Sequence, residues 1–253
     1  MLINKNILVV GAGGLLGAKV VQSLLQHESS VMAVDLDVEK LKSRLAEMDV
    51  DLDHPALSFA SLDITDEASV KVFFDSLTTI TGAVNCTYPR NKMYGTHFFD
   101  VKLADFSENL SLHLGSSFLF MQQCAAYFKR TKAEFSLVNI SSIYGVVAPK
   151  FEVYENTKMT MPVEYAAIKS ALLHLSKYVA AYVADSRFRV NSVSPGGIFD
   201  HQPNDFLEAY KRETLGKGML DAEDVIGSII YLLSDYARYV NGQNIVVDDG
   251  FVL

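Results

Sequence analysis

The stretch Ile7-Leu8-Val9-Val10-Gly11-Ala12-Gly13-Gly14-Leu15-Leu16-Gly17 decides how the chain folds. Four consecutive apolar residues predict a strand buried on both faces. Glycines at 11, 14 and 17 follow at once, and over residues 15–26 apolar residues recur at helical spacing. Strand, glycine turn and helix start together make a seat for a pyrophosphate. Glycine lets the backbone turn sharply and come close, and the helix N-terminus offers unpaired N–H groups with partial positive charge. Gly11, Gly14, Leu16 and Gly17 are therefore candidate dinucleotide contacts.

Asp35 strengthens that reading. It closes the next apolar run, 18 residues after Gly17. A carboxylate there accepts hydrogen bonds from the adenosine ribose and repels a 2′-phosphate, which favours NAD over NADP. Asp35 also suits the N-cap of a helix beginning near Val38, and the two roles can coexist. Asp63, with Ile64 beside it, follows the third apolar run, and its carboxylate suits the adenine edge or a local turn equally well. Asn85 ends the fourth run, at the edge where open α/β sheets bind ligands.

The same alternation continues along the chain. Apolar runs at residues 7–10, 31–34, 57–60, 83–85, 135–140, 190–193 and 244–247 alternate with helical patterns at 15–26, 38–48, 67–77, 106–129, 163–184 and 222–233. The pattern predicts an α/β protein with a Rossmann fold: a doubly wound, seven-stranded parallel sheet with helices on both faces. No Pro/Gly/Ser-rich linker or internal repeat divides the 253 residues, so the expectation is a single domain over 1–253. Residues 146–162 and 199–221 fit neither pattern and read as substrate loops.

Composition narrows the function classes. With 49% hydrophobic and 21% charged residues the chain suits a packed globule and not a disordered segment. A net charge of -8, without any dense Lys/Arg tract, argues against a nucleic-acid partner. Cys86 and Cys124 lack paired-cysteine spacing and read as reduced thiols, and no metal-ligand set is expected. No run approaches the ~20 apolar residues of a membrane helix. The N-terminal segment lacks a signal-peptide pattern. These features predict a soluble, cytoplasmic protein with a small-molecule substrate.

Two segments carry Tyr-x-x-x-Lys: Tyr154 to Lys158 and Tyr165 to Lys169. On a helix this spacing puts both side chains on one face, where they can reach the same ligand. Pro162 breaks any helix through the first segment, whereas residues 166–184 contain no Gly or Pro. Pro162 also suits the first turn of the later helix. Tyr165 and Lys169 are therefore the candidate catalytic pair, and Tyr154 is a loop residue. A free tyrosine titrates near pH ~10, so a neighbouring cation is needed to make it a base at neutrality. In the opposite direction the same hydroxyl donates its proton to a developing alkoxide.

Taken together, the glycine turn, Asp35, Asp63, Asn109, Asn139-Ile140-Ser141-Ser142, Tyr165 with Lys169, Arg189-Val190-Asn191, Pro195-Gly196 and Asp248-Asp249-Gly250 resemble the short-chain dehydrogenase/reductase family over nearly the whole chain. The resemblance implies an NAD(P)-dependent oxidoreductase acting on CH–OH groups. It also implies that Ser142 orients the substrate oxygen, Tyr165 exchanges its proton, Lys169 holds the nicotinamide ribose and Asn109 supports a water relay. Tyr165, Lys169, Pro195, Gly196 and Ile198 would then also border the cofactor, in a homodimer or homotetramer joined through the long helices. The chain departs from the family in four places, the first being the Gly-x-x-Gly-x-x-Gly spacing of its glycine turn, which is seen more in the extended, sugar-nucleotide-handling branch. Asn85-Cys86-Thr87-Tyr88 keeps only the first residue of Asn-Asn-Ala-Gly, Asp200 stands where a threonine is usual, and 23 residues separate Ser142 from Tyr165.

The extra residues make 146–162 a substrate loop, with Tyr144, Tyr154, Phe199 and His201 as candidate substrate contacts. Arg90, Lys92, His97, Lys150, Lys158, Lys211, Arg212 and Lys217 flank these loops and suit an anionic substrate if several converge. Segments around Ser142, Met159 and Pro195 also resemble a flagellin-modification branch of the family, associated with legionaminic-acid-type sugar synthesis. That implies a sugar or sugar-phosphate substrate and a place in carbohydrate biosynthesis. Two other readings stay open: a sugar epimerase or dehydratase that retains its NAD, and a catalytically silent dinucleotide-sensing partner protein.

Overall fold

In the computed structural model, which describes residues 1–253, strand β1 (Asn6–Val10) sends Ile7 and Val9 into one core and Leu8 and Val10 into another. Six further strands follow: β2 (Ser30–Asp35), β3 (Leu57–Ser61), β4 (Gly82–Asn85), β5 (Phe135–Ile140), β6 (Phe188–Pro195) and β7 (Asn244–Val247). They form one sheet in the order β3-β2-β1-β4-β5-β6-β7, and every pairing is parallel. Parallel strands need crossover helices, which cover both faces and explain the unbroken apolar runs. Helices α1 (Leu15–Gln26), α2 (Val38–Glu47) and a C-terminal helix (Ala222–Leu233) bury Leu24, Leu41 and Ile229 on one face. Helix α3 (Glu67–Ser76) and the long helices after β4 and β5 bury Phe74, Phe120 and Leu172 on the other. Each such fully buried side chain contributes roughly 1.5–3 kcal/mol of transfer free energy.

The helix starts are written locally. Asp37 accepts the Lys40 N–H at 3.0 Å and caps α2, and Asp66 accepts the Ala68 N–H and caps α3. The capping residue of α2 is thus Asp37, which leaves Asp35 free of that role.

Two elements differ from the sequence pattern. The helix expected over 106–129 begins earlier, as α4 (Leu103–Asn109), and passes through a π-helical segment (Leu110–Gly115) before continuing as α5 (Ser116–Thr131). Residues 199–221 are not irregular throughout. They contain α7 (Asn204–Arg212), which follows α6 (Val163–Val183) in the chain and precedes α8, the helix Ala222–Leu233. Only Phe206 and Tyr210, four apart, bury its inner face, too brief a pattern to stand out from sequence. The 146–162 stretch carries a short 3-10 turn, Phe151–Tyr154. No helix is long and apolar enough to cross a membrane.

Candidate active site

The strand order reverses between β1 and β4, and open α/β sheets hold ligands in the crevice at such a switch point. Two adjoining cavities lie there, of about 650 and 370 Å³, sharing Gly14, Cys86, Thr87 and Tyr88. The smaller is lined by Gly11, Gly13, Asp35, Asp63 and Ile64, the larger by Leu16, Gly17, Ser142, Tyr165, Lys169, Pro195, Gly196 and Ile198.

The glycine turn is built for close approach. Gly11 sits at φ +74°, and a Cβ on Gly17 would lie 2.1 Å from the Gly11 carbonyl oxygen. The N–H groups of Leu15, Leu16 and Gly17, at the start of α1, find no protein acceptor. Asp35 Oδ2 accepts the Gly13 N–H at 2.8 Å, so the carboxylate braces the turn and still faces the cavity. Free N–H donors, absent Cβ atoms and a carboxylate on the wall of the adjoining cavity fit a dinucleotide. Asp63 forms a local turn, accepting the Thr65 N–H at 2.9 Å and its hydroxyl at 2.6 Å, while lining the same cavity. Asn85 does not line either cavity. Its Oδ1 accepts the N–H and hydroxyl of Thr87, which folds the carboxamide back into the loop.

At the other end, Ser142, Tyr165 and Lys169 meet because β5 and α6 are pinned together. Ser141 Oγ donates to the Lys169 carbonyl at 2.8 Å, and Asn139 Nδ2 donates to Ser176 Oγ at 3.1 Å. Gly145 permits the approach, since a Cβ there would stand 2.7 Å from the Lys169 carbonyl carbon. Lys169 Nζ donates to the Ile140 carbonyl at 2.8 Å and lies 5.6 Å from the Tyr165 ring centre. Burial pushes the Lys169 ammonium down to about 7. Burial also raises the Tyr165 phenol, partly offset by the neighbouring Ser142 hydroxyl. Both groups are therefore poised toward their neutral forms.

Asn109 lies at the end of α4, where the π-helical segment begins. Its Oδ1 accepts the Asn91 N–H at 2.9 Å, and both Nδ2 hydrogens are engaged, one by Asn91 Oδ1 and one by Glu164 Oε1. The side chain ties the loop after β4 to the first turn of α6. Glu164 is wholly buried and its Oε2 has no partner.

Tyr144 and Tyr154 line the larger cavity and share a hydroxyl contact at 3.3 Å. Phe199 and His201 do not line it. His201 adopts φ +60° and its ring packs on Phe199 in solvent, while Asp200 and Gln202 face the cavity instead. Nor do the expected basic residues converge. Lys150 pairs with Glu213 and Lys217 with Asp221 and Asp224; of the set, only Arg90 lines the cavity. Sequence reasoning missed Tyr88, Met159, Met161, Phe206, Tyr210 and Met219 as lining residues. Tyr210 accepts the Gly197 N–H at 2.6 Å and so fixes the turn after β6. The Phe206/Tyr210 pair at helical spacing was the available signal.

A family model described as enoyl-(acyl carrier protein) reductase, one of the short-chain dehydrogenase/reductase models, matches residues 11–252. The chain belongs to the short-chain dehydrogenase/reductase family. This short-chain dehydrogenase/reductase is 38% identical to post-translational flagellin modification protein A of Campylobacter coli, over 100% of both chains. It is 26% identical to 7alpha-hydroxysteroid dehydrogenase of Bacteroides fragilis, over 99% of this chain and 95% of that one. A crystal structure of a short chain dehydrogenase from Leptospira borgpetersenii with bound NAD+ superposes with a TM-score of 0.87 at 29% identity, covering 99% of this chain and 94% of that one. As a member of the family the chain is an oxidoreductase of hydroxyl and keto groups.

Proposed function

We propose that the chain is an NAD-dependent dehydrogenase or reductase of a small polar substrate, a sugar or sugar phosphate, with Tyr165 as general acid and base. The observation that carries this is the meeting of Ser142, Tyr165 and Lys169 on one wall of a cavity continuous with the glycine turn. Bound at that wall, a nicotinamide supplies the hydride donor or acceptor. Ser142 Oγ donates a hydrogen bond to the substrate oxygen and orients it. Tyr165 Oη gives that oxygen its proton in reduction and takes it in oxidation. Lys169, four residues on, lies beside the phenol and stabilises its anionic form when charged.

Asp35 supports NAD over NADP, because its carboxylate stands beside the turn where a 2′-phosphate would come. Thr87, Thr160, Asp200 and Gln202 around the larger cavity suit hydroxyl-rich substrates, as does the resemblance to flagellin-modification proteins. The exposed aromatic residues Phe118, Tyr178 and Tyr182 on α5 and α6 support a homo-oligomer joined through these helices, a dimer or tetramer. Two unpaired thiols suit the reducing cytoplasm.

Tyr165→Phe tests the assignment. Turnover should fall at least about 1000-fold while NAD affinity stays within about twofold, the pattern of a lost acid–base group. Retained turnover in that variant would exclude the mechanism.

A further inference from the structure

Arg90 stands apart from the other cations of the molecule. Its guanidinium lies 4.7 Å over the Tyr88 ring centre and 5.9 Å from that of Tyr94. It makes no ion pair and no hydrogen bond within the chain, although it lines the larger cavity. The other cavity cation, Lys169, is bound to the Ile140 carbonyl. Asp200, the one carboxylate in the cavity wall, does not pair with Arg90.

The two rings hold the cation beside them by cation–π attraction, and its N–H donors bond no acceptor in the chain. The donor fork of a guanidinium matches the paired oxygens of a phosphate or carboxylate. Tyr88 also fixes the distance to the chemistry, since its ring centre is 5.7 Å from that of Tyr165. Arg90 is therefore separated from the Tyr165 ring by no more than these two spans together.

We infer that Arg90 is the specificity-determining anion receptor of the active site, holding an oxyanion several bonds from the carbon that reacts. This rests on the oxidoreductase assignment and adds the substrate class: a small hydroxy or keto compound carrying a phosphate or carboxylate. The tyrosine pair makes the receptor rigid, so little side-chain entropy is lost on binding.

Binding of defined probes decides it. NAD-loaded protein, whose pyrophosphate seat is filled, is titrated calorimetrically with inorganic phosphate, glucose 6-phosphate, gluconate and glucose. The wild type should bind glucose 6-phosphate or gluconate at least tenfold more tightly than glucose. The phosphate and gluconate arms distinguish the two oxyanions. Arg90→Gln should weaken anion binding about 10- to 100-fold without changing Tm, with Arg90→Lys intermediate because the charge remains but the fork is lost. Lys217→Gln, at a remote ion pair, should bind as the wild type does. Equal binding of neutral and anionic probes by the wild type, or undiminished anion binding in Arg90→Gln, overturns the inference. Because the readout is binding, anion capture at Arg90 with no hydride transfer to any probe supports the receptor and counts only against the proposed sugar or sugar-phosphate substrate.

Discussion

Tyr88 meets Tyr165 edge to face, with ring centres 5.7 Å apart and planes at 89°. The family's glycine position thus carries a ring that buttresses the proposed acid–base group and lies 5.7 Å from Lys169 Nζ. An aromatic pair of this kind is worth about 0.5–1.5 kcal/mol beyond burial. Tyr88→Ala should lower kcat about 3- to 10-fold by letting the Tyr165 ring wander, and Tyr88→Phe should stay within about twofold. Steady-state kinetics check this, and an unchanged kcat in Tyr88→Ala removes the buttressing role.

Lys169 makes stability depend on pH. Its folded-state value of about 7 lies below the ordinary 10.5, so the unfolded chain binds more protons between those limits. The resulting destabilisation is complete below pH 7, shrinks as pH rises from 7 towards 10.5, and is gone above that. Lys169→Met removes it. The stability difference between variant and wild type should therefore move in the wild type's favour by on the order of 2–3 kcal/mol from pH 6 to pH 9.5. Urea unfolding of cofactor-free protein at the two pH values measures it. A pH-independent difference would mean that the ammonium is not desolvated.

Glycines 14 and 17 should fail in different ways. A Cβ on Gly17 would strike the Gly11 carbonyl oxygen at 2.1 Å, a backbone clash that nothing can relieve cheaply. Gly17→Ala should lower Tm, at a cost of about 1–3 kcal/mol or more, together with NAD affinity. At Gly14 the nearest atom is 3.3 Å away and the residue lines both cavities. Gly14→Ala should keep Tm near wild type yet bind NAD at least about tenfold more weakly, because the methyl occupies the phosphate seat. Thermal unfolding paired with NAD titration separates the two outcomes.

The proposed preference for NAD rests on Asp35. Wild-type kcat/KM should favour NAD over NADP by roughly 100-fold, and Asp35→Ser should reduce that to under about tenfold by removing the charge opposed to a 2′-phosphate. The same change takes the acceptor from the Gly13 N–H, so Tm should fall as well. Equal use of both cofactors by the wild type would count against the carboxylate's role.

Much of this was legible in residue order because it is local. The apolar run before Gly11, the helix start after Gly14 and the spacing of Tyr165 and Lys169 on one helix are settled within a few residues. Pro162 sits at the N-cap of α6, and Tyr154 lies in a 3-10 turn with Lys158 outside any helix, so the choice between the two Tyr-x-x-x-Lys segments could be made from helix chemistry alone. The brief α7 and the π-helical interruption after Asn109 escaped, since each depends on packing against distant elements rather than on its own periodicity.

The sequence by itself determined the seven-stranded parallel sheet, the glycine turn and the placing of Tyr165 and Lys169 on one helix, because apolar periodicity and glycine stereochemistry act over neighbouring residues. Only the tertiary structure decided which side chains share the cavity. It placed Tyr88 against Tyr165, turned Phe199 and His201 outward, tied Lys150 and Lys217 into ion pairs and left Arg90 alone. Those outcomes follow from the meeting of loops far apart in the chain, where charge pairing and ring stacking choose among partners that spacing cannot foresee.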